Sequence, residues 1–323
     1  MQGYLSTIKD LLMNNKNDKQ TILKNTFWQT IGTLSNKLLS LFLIIWAARI
    51  LGVQEYGKFN FAIAFVSLLI IFSDLGLSAI IVREFSRREE KKEEFYSIIS
   101  LKILLALGTL ILILLSSFLI APAQDIQRII LILTLFLLIN NFMGAFYSFF
   151  HAHQKMEYEA WPEIIQVFLL FIFGFFVLLK LPSAENLSYV YFLSSLVALV
   201  FVLFFCHRKF LPLKLEWDFS VWKKFLLFSW PLALIGSFGL IYSYIDSVML
   251  GFWNMLTEVG WYNAAQRIVT ALLLPMGFIA VSFYPALSQF SELSKEKFQD
   301  MWNQELEIMI SIALPLMVGG SIL

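Results

Sequence analysis

Apolar residues run through this chain in blocks long enough to cross a lipid bilayer, with short polar stretches between them. A helix crossing the ~30 Å hydrocarbon core needs about 20 residues. At that window the sequence resolves into about nine segments, near 22–50, 56–82, 96–120, 127–150, 160–180, 187–206, 225–250, 259–283 and 303–323. Continuous blocks such as Leu110–Leu115 lack the alternation of a barrel strand, whose residues face lipid and lumen in turn. The pattern predicts an all-α polytopic membrane protein. Pro231, Pro275 and Pro315 fall within these spans. A proline inside a spanning helix leaves a carbonyl unpaired and bends the axis, although Pro231 fits equally well in the first turn of the seventh.

Composition agrees, with 59% hydrophobic and only 15% charged residues and a mean hydropathy of +0.75, where a soluble domain is about a quarter charged. A net charge of +1 lacks the basic footprint of a nucleic-acid binder. The single cysteine, Cys206, excludes an intrachain disulfide and a multi-cysteine metal site, and reads as a small hydrophobe at a helix end. Residues 1–20 form a polar tail. The apolar run behind it exceeds the roughly 7–15 residues of a signal-peptide core, so no cleaved signal is expected.

The placement of charge gives the chain a direction. With a cytoplasmic N-terminus, that side receives Lys9, Lys16, Lys19 and Lys24, then Arg83, Arg87, Arg88, Lys91 and Lys92, then Lys155, then Arg208, Lys209, Lys214, Lys223 and Lys224, and finally Lys295 and Lys297. The other side receives Lys58, Arg128 and Lys180. Basic loops mark the cytoplasm, so the chain is expected in the cell (cytoplasmic, or inner) membrane as a multi-pass protein with its N-terminus inside.

An internal echo is visible. Glu55-Tyr56-Gly57-Lys58-Phe59-Asn60-Phe61-Ala62 returns as Glu258-Val259-Gly260-Trp261-Tyr262-Asn263-Ala264-Ala265, each copy after a Leu-Gly pair, Leu51-Gly52 and Leu250-Gly251. The offset spans six helices, an even number, which predicts two parallel repeats about an axis along the membrane normal. The expected organisation is a first six-helix bundle over 21–210 and the start of a second over 211–323, holding spans 7–9. With Leu323 inside a span, the second repeat reads as incomplete and the chain as a piece of a protein with twelve or more helices.

A charge deep in a span costs at least ~2.5–3.5 kcal/mol, so each should face a cavity or a partner. Lys37, near the middle of the first helix, could meet an anionic diphosphate or sugar acid in a cavity. Arg267, about 12 Å into the eighth helix at ~1.5 Å per residue, is a second cavity candidate, or an ion-pair partner of Asp246 across the hairpin. Asp246 and Asp74 are the gating or coupling candidates, and Asp74 equally suits fastening one helix to another. Arg49 and Lys102 lie close enough to the surfaces to snorkel. The run Arg87–Glu94 reads as a solvated loop. His151, His153 and Glu157 are spaced like metal ligands without a further cluster beside them, and fit a polar loop better. Trp217, Trp222, Trp253, Trp261 and Trp302 near span ends suit an interfacial belt.

Two stretches carry a family resemblance. Arg49-Ile50-Leu51-Gly52, Tyr56-Gly57, Ser73-Asp74-Leu75-Gly76-Leu77 and Arg83 resemble the N-terminal pattern of polysaccharide-biosynthesis membrane proteins. These are the oligosaccharide-lipid flippases of the multidrug/oligosaccharidyl-lipid/polysaccharide exporter (MOP) superfamily. Trp230-Pro231-Leu232, Tyr244-Ile245-Asp246, Leu250-Gly251, Gly260–Ala265 and Tyr284-Pro285 resemble the start of their second half. The resemblance implies two six-helix bundles around a central cavity, alternating between inward-open and outward-open states. Its substrate would be a polyprenyl-diphosphate-linked oligosaccharide, moved to the outer leaflet for cell-surface polysaccharide biosynthesis. Membrane lipid, a polysaccharide polymerase and glycosyltransferases are the expected partners. No catalytic residue, cofactor, metal or nucleic acid is expected, and no Walker-type loop is present for direct use of ATP. The rival readings are a cation-coupled multidrug exporter of the same superfamily and an integral membrane glycosyltransferase or polymerase.

Overall fold

Gly52 takes φ +73°, a backbone conformation that costs glycine little, and at that residue the first long helix turns over. In the computed structural model, which describes residues 15, 17–86, 92–120, 123–212 and 214–322, α1 (Asp18–Leu69) therefore consists of two arms, 18–51 and 53–69. A 3-10 turn (Ile70–Ser73) and a left-handed corner follow, and α2 (Leu77–Phe85) continues the second span. Next come α3 (Lys92–Ile120), α4 (Gln124–Ala152), α5 (Glu157–Lys180), α6 (Ala184–Lys209), α7 (Phe219–Phe252), α8 (Leu256–Leu293) and α9 (Lys295–Ile322). The nine predicted segments correspond to the two arms of α1, the second joined to α2, and to α3 through α9 in order. Six helices are long and apolar enough to cross a membrane among the described residues. Pro231 lies well inside α7 and not in its first turn; Pro315 lies inside α9. Residues 1–14 and 87–91 and the side chains of Pro275, Tyr284 and Pro285 lie outside the described residues, and with them most of the expected tail and charged loop.

The outer surface is apolar: Leu119 is 85% exposed, Phe238 68% and Phe42 62%. Such a belt is stable against lipid tails and would be an aggregation surface in water. Polar groups do the locating at the helix ends. Ser183 caps α6 by accepting from the Asn186 amide at 3.0 Å, and Asp218 caps α7 by accepting from the Ser220 amide at 2.8 Å. The Ser220 hydroxyl and amide, with the Val221 amide, hold the Asp218 carboxyl below its ordinary range.

The chain separates into two compact units, one reaching to Asn263 and the other beginning at Ala264. In the first, an aromatic cluster ties the ends of α3, α4 and α6 to the start of α7 on the face where the chain starts, here the N face. Phe95 and Phe149 are 4.4 Å apart, and Phe150 and Phe210 are 5.0 Å apart. Trp222, expected in the interfacial belt, is buried here and donates its indole N–H to Ser97 O at 2.9 Å. The segment leading into α7 is stitched to α3, its Glu216 amide donating to Ser100 Oγ and its Asp218 amide to Ser97 Oγ. In the second unit, Val269, Leu272 and Met276 of α8 face Met309, Ile310 and Met317 of α9 across an apolar groove of about 370 Å³.

Candidate functional site

The first arm of α1 presents three faces, as its sequence read at 100° per residue requires. One face packs on α5: Trp28 meets Trp161 with centroids 5.5 Å apart, and Leu43 fills the space that a side chain on Gly174 would take. A second face carries exposed Phe27, Leu34, Leu38, Phe42 and Ile45, suited to lipid. Between them runs a polar stripe of Thr26, Thr30, Thr33, Asn36, Lys37 and Ser40, exposed or half-buried along its length. Ser40 Oγ donates to Asn36 Oδ1 at 3.2 Å. Lys37 sits exposed in mid-helix, flanked by hydroxyl and amide groups instead of hydrocarbon.

Asp74 lies where the second span breaks. Leu75 at φ +48° and Gly76 at φ +77° turn the chain between the 3-10 turn and α2. The Asp74 carboxylate receives the Ser78 amide at 3.3 Å and the Ser78 hydroxyl at 2.6 Å, and so satisfies a donor in the first turn of the new helix. Lys102, expected to snorkel to a surface, is 1% exposed and reaches Asp74 Oδ1 at 2.6 Å. The same ammonium donates to Asn141 O at 2.9 Å and to Ser78 Oγ at 3.1 Å, which gives each of its three N–H groups an acceptor. Sequence reading passed over Lys102, yet a signal was present. Asp74 and Lys102 stand almost equally far from the charged connection near 86–92, so antiparallel packing brings them level.

The break is also a docking point. A Cβ on Gly76 would lie 2.7 Å from Ser229 O, 3.0 Å from Ala233 N and 3.1 Å from Leu232 Cβ. These atoms flank Pro231, so the Ser73–Leu77 motif and the Trp230-Pro231-Leu232 motif, more than 150 residues apart in sequence, touch at glycine. Nearby, the Arg83 guanidinium stands 5.8 Å from the centre of the Phe228 ring.

Asp246 is exposed on α7 and accepts the Tyr262 hydroxyl at 2.6 Å. Arg267 belongs to the second unit, half-buried on α8. Lys24, counted among the basic residues of the N-terminal side, is buried against Glu157 at 2.9 Å, which fastens the start of α1 to the start of α5. That pair consumes Glu157. His151 pairs with Glu159, and the His153 ring lies 2.8 Å from Phe149 O, so all three residues with metal-like spacing have local partners.

Known proteins agree with this architecture. The model of the polysaccharide biosynthesis protein family matches residues 22–291. A protein of Escherichia coli (strain K12), provisionally named an O-antigen transporter, is 23% identical over 314 residues, covering 95% of this chain and 75% of that protein. Among solved structures, an inward-facing multidrug resistance transporter of the MATE family superposes with a TM-score of 0.65 at 15% identity over 89% of this chain and 68% of its own. A MOP-superfamily transporter from Pyrococcus furiosus, described as having a binding pocket of reverse polarity that suggests a different function, superposes at 0.54 with 17% identity over 95% and 72%. The chain belongs to the polysaccharide biosynthesis protein family, and its fold is that of the MATE multidrug transporters.

Proposed function

We propose that this protein translocates a polyprenyl-diphosphate-linked oligosaccharide from the cytoplasmic to the outer leaflet by alternating access, acting as a transporter and not as an enzyme. The observation that carries this reading is the polar stripe of α1. A row of hydroxyl and amide groups with a central cation suits a ligand that is polyhydroxylated along its glycan and anionic at its diphosphate. The E. coli relative named for O-antigen transport supports the same substrate class. In this reading the N face is cytoplasmic, as the basic loops require. Lys37 and Arg267 contact the anionic substrate; Asp74 and Asp246 act in gating or coupling.

Deletion of the gene is expected to trap lipid-linked glycan on the cytoplasmic leaflet, and normal outer-leaflet display in the deletion strain would sink the reading. Lys37→Ala and Arg267→Ala are each expected to abolish export while membrane insertion persists, and normal export by both variants removes the cationic path. A second reading, a cation-coupled multidrug exporter, is favoured by the fold shared with multidrug transporters. It requires dye export that the deletion strain loses while glycan display continues.

A further inference from the structure

The internal echo proves to be a contact. The two copies lie against each other on the face opposite the N face, and they touch through equivalent residues. A Cβ placed on Gly57 would fall inside the van der Waals surface of Leu256 O, and one placed on Gly260 would fall inside that of Val53 O. Leu256 stands to Gly260 as Val53 stands to Gly57, four residues earlier in each copy. The contact is therefore self-complementary, as across a two-fold axis. The neighbouring asparagines repeat as well: Asn60 Nδ2 donates to Tyr56 O at 2.8 Å, and Asn263 Nδ2 donates to Val259 O at 2.9 Å. Beside the crossing, the buried Phe61 ring occupies the space that a side chain on Gly251 would need.

Resting on the alternating-access reading, we propose that Gly57 and Gly260 are positioning residues for transport. By bringing backbone onto backbone they seal the path at the face opposite the N face, and they form the pivot on which the seal opens. The geometry supports both roles. Gly57 lies five residues past the Gly52 bend and Gly260 four past the start of α8, so the crossing sits within ~8 Å of the helix ends at ~1.5 Å per residue. Small residues let helices approach until their backbones touch, which leaves no channel for water. A seal of interdigitated side chains would have to change rotamers to rotate, whereas glycine against a carbonyl presents a smooth bearing. The seal acts on the substrate path without touching substrate.

The test uses the full-length protein in its native membrane, with Cys206→Ala as background and Ser40→Cys on the polar stripe as a reporter. A membrane-impermeant maleimide is applied from the face opposite the N face. Gly57→Leu is expected to raise the labelling rate about tenfold, as a shift of ~1.4 kcal/mol between states would, and to lower export while the amount of inserted protein holds. Gly57→Ala and Gly260→Ala are expected to give smaller increases that match each other, because the contact is reciprocal. Unchanged labelling in an inserted Gly57→Leu protein overturns the proposal, even if export falls. Should the leucine variant fail to insert, the alanine variants decide, and unchanged labelling in both overturns it equally. Increased labelling combined with normal glycan display in the deletion strain would leave the seal standing and remove the lipid-linked substrate.

Discussion

The α7–α8 hairpin meets the first helices at two glycine crossings, and they are held by different forces. At the N-face crossing Gly76 adopts φ +77° in a broken helix and presses on the Pro231 region of α7, with the Asp74–Lys102 pair beneath it. At the opposite crossing Gly57 and Gly260 sit in regular helix, and their contact is backbone on backbone. The first rests on a corner fastened to α3 by charge and on a conformation that only a few residues tolerate; the second is held by shape alone. A helix pair that must separate and close again can do so at the second crossing by sliding. At the first, the corner that Gly76 presents to α7 is itself held in place, because moving it away from α3 would strip Lys102 of Asp74 and Ser78 in low dielectric, where an unpaired ion is expensive. The two crossings thus divide the work between an anchor and a bearing.

Removing the anchor's charge is the strongest way to test that division. Lys102→Ala leaves Asp74 without its counter-ion beside a helix break, and breaking a buried pair from one side costs about 3–5 kcal/mol. Thermal unfolding of the detergent-purified protein should show that loss, together with a fall in export. The double variant Asp74→Asn with Lys102→Met removes both charges and should recover more than half of the stability. If the double variant is no better than the single, the pair is not the fastener.

Gly76→Ala comes next. The added methyl meets the Ser229 carbonyl at 2.7 Å, and the residue must hold φ +77° without glycine's freedom. Overpacking of this kind costs about 1–3 kcal/mol. The expected phenotype is lower stability with unchanged reporter labelling from the opposite face, the reverse of the Gly57 variants. Increased labelling in Gly76→Ala would merge the two crossings into one mechanism.

Much of this arrangement was legible in the sequence, and the reasons for the rest are specific. Hydropathy located the helices because each span must satisfy its own backbone in lipid, and that leaves a long unbroken signature. Local conformation was harder. Ser73-Asp74-Leu75-Gly76 reads as continuous apolar helix by hydropathy, yet the left-handed corner at Leu75 and Gly76 breaks the span in its midst. The echo led to the expectation of two repeats, but nothing in one-dimensional spacing says that Gly57 and Gly260 touch, since such contacts depend on how the hairpins stack. Among the charges, Lys37 stood out because it interrupts a hydrophobic run and keeps its place on an exposed stripe. Lys102 was misjudged because distance from the end of a span was taken as access to water, whereas Asp74, distant in sequence, gives it a buried partner, as Glu157 does for Lys24.

The smallest expected effect sharpens the contrast most directly, because it concerns charge at the crossing said to need none. Lys58 follows Gly57 immediately and reaches Asp125 at 2.6 Å and Glu55 at 2.8 Å, while Glu55 also accepts the Ala184 amide at 3.0 Å. This network links the second arm of α1 to the starts of α4 and α6. Asp125 is half exposed, however, and exposed pairs are worth only about 0.2–1 kcal/mol. Lys58→Ala should therefore lower stability slightly, less so at high salt, and leave both export and reporter labelling near the parent values. A loss comparable to that of Lys102→Ala would show that the opposite crossing is also pinned by charge, and the Gly57–Gly260 contact would then be a tight joint and not a bearing.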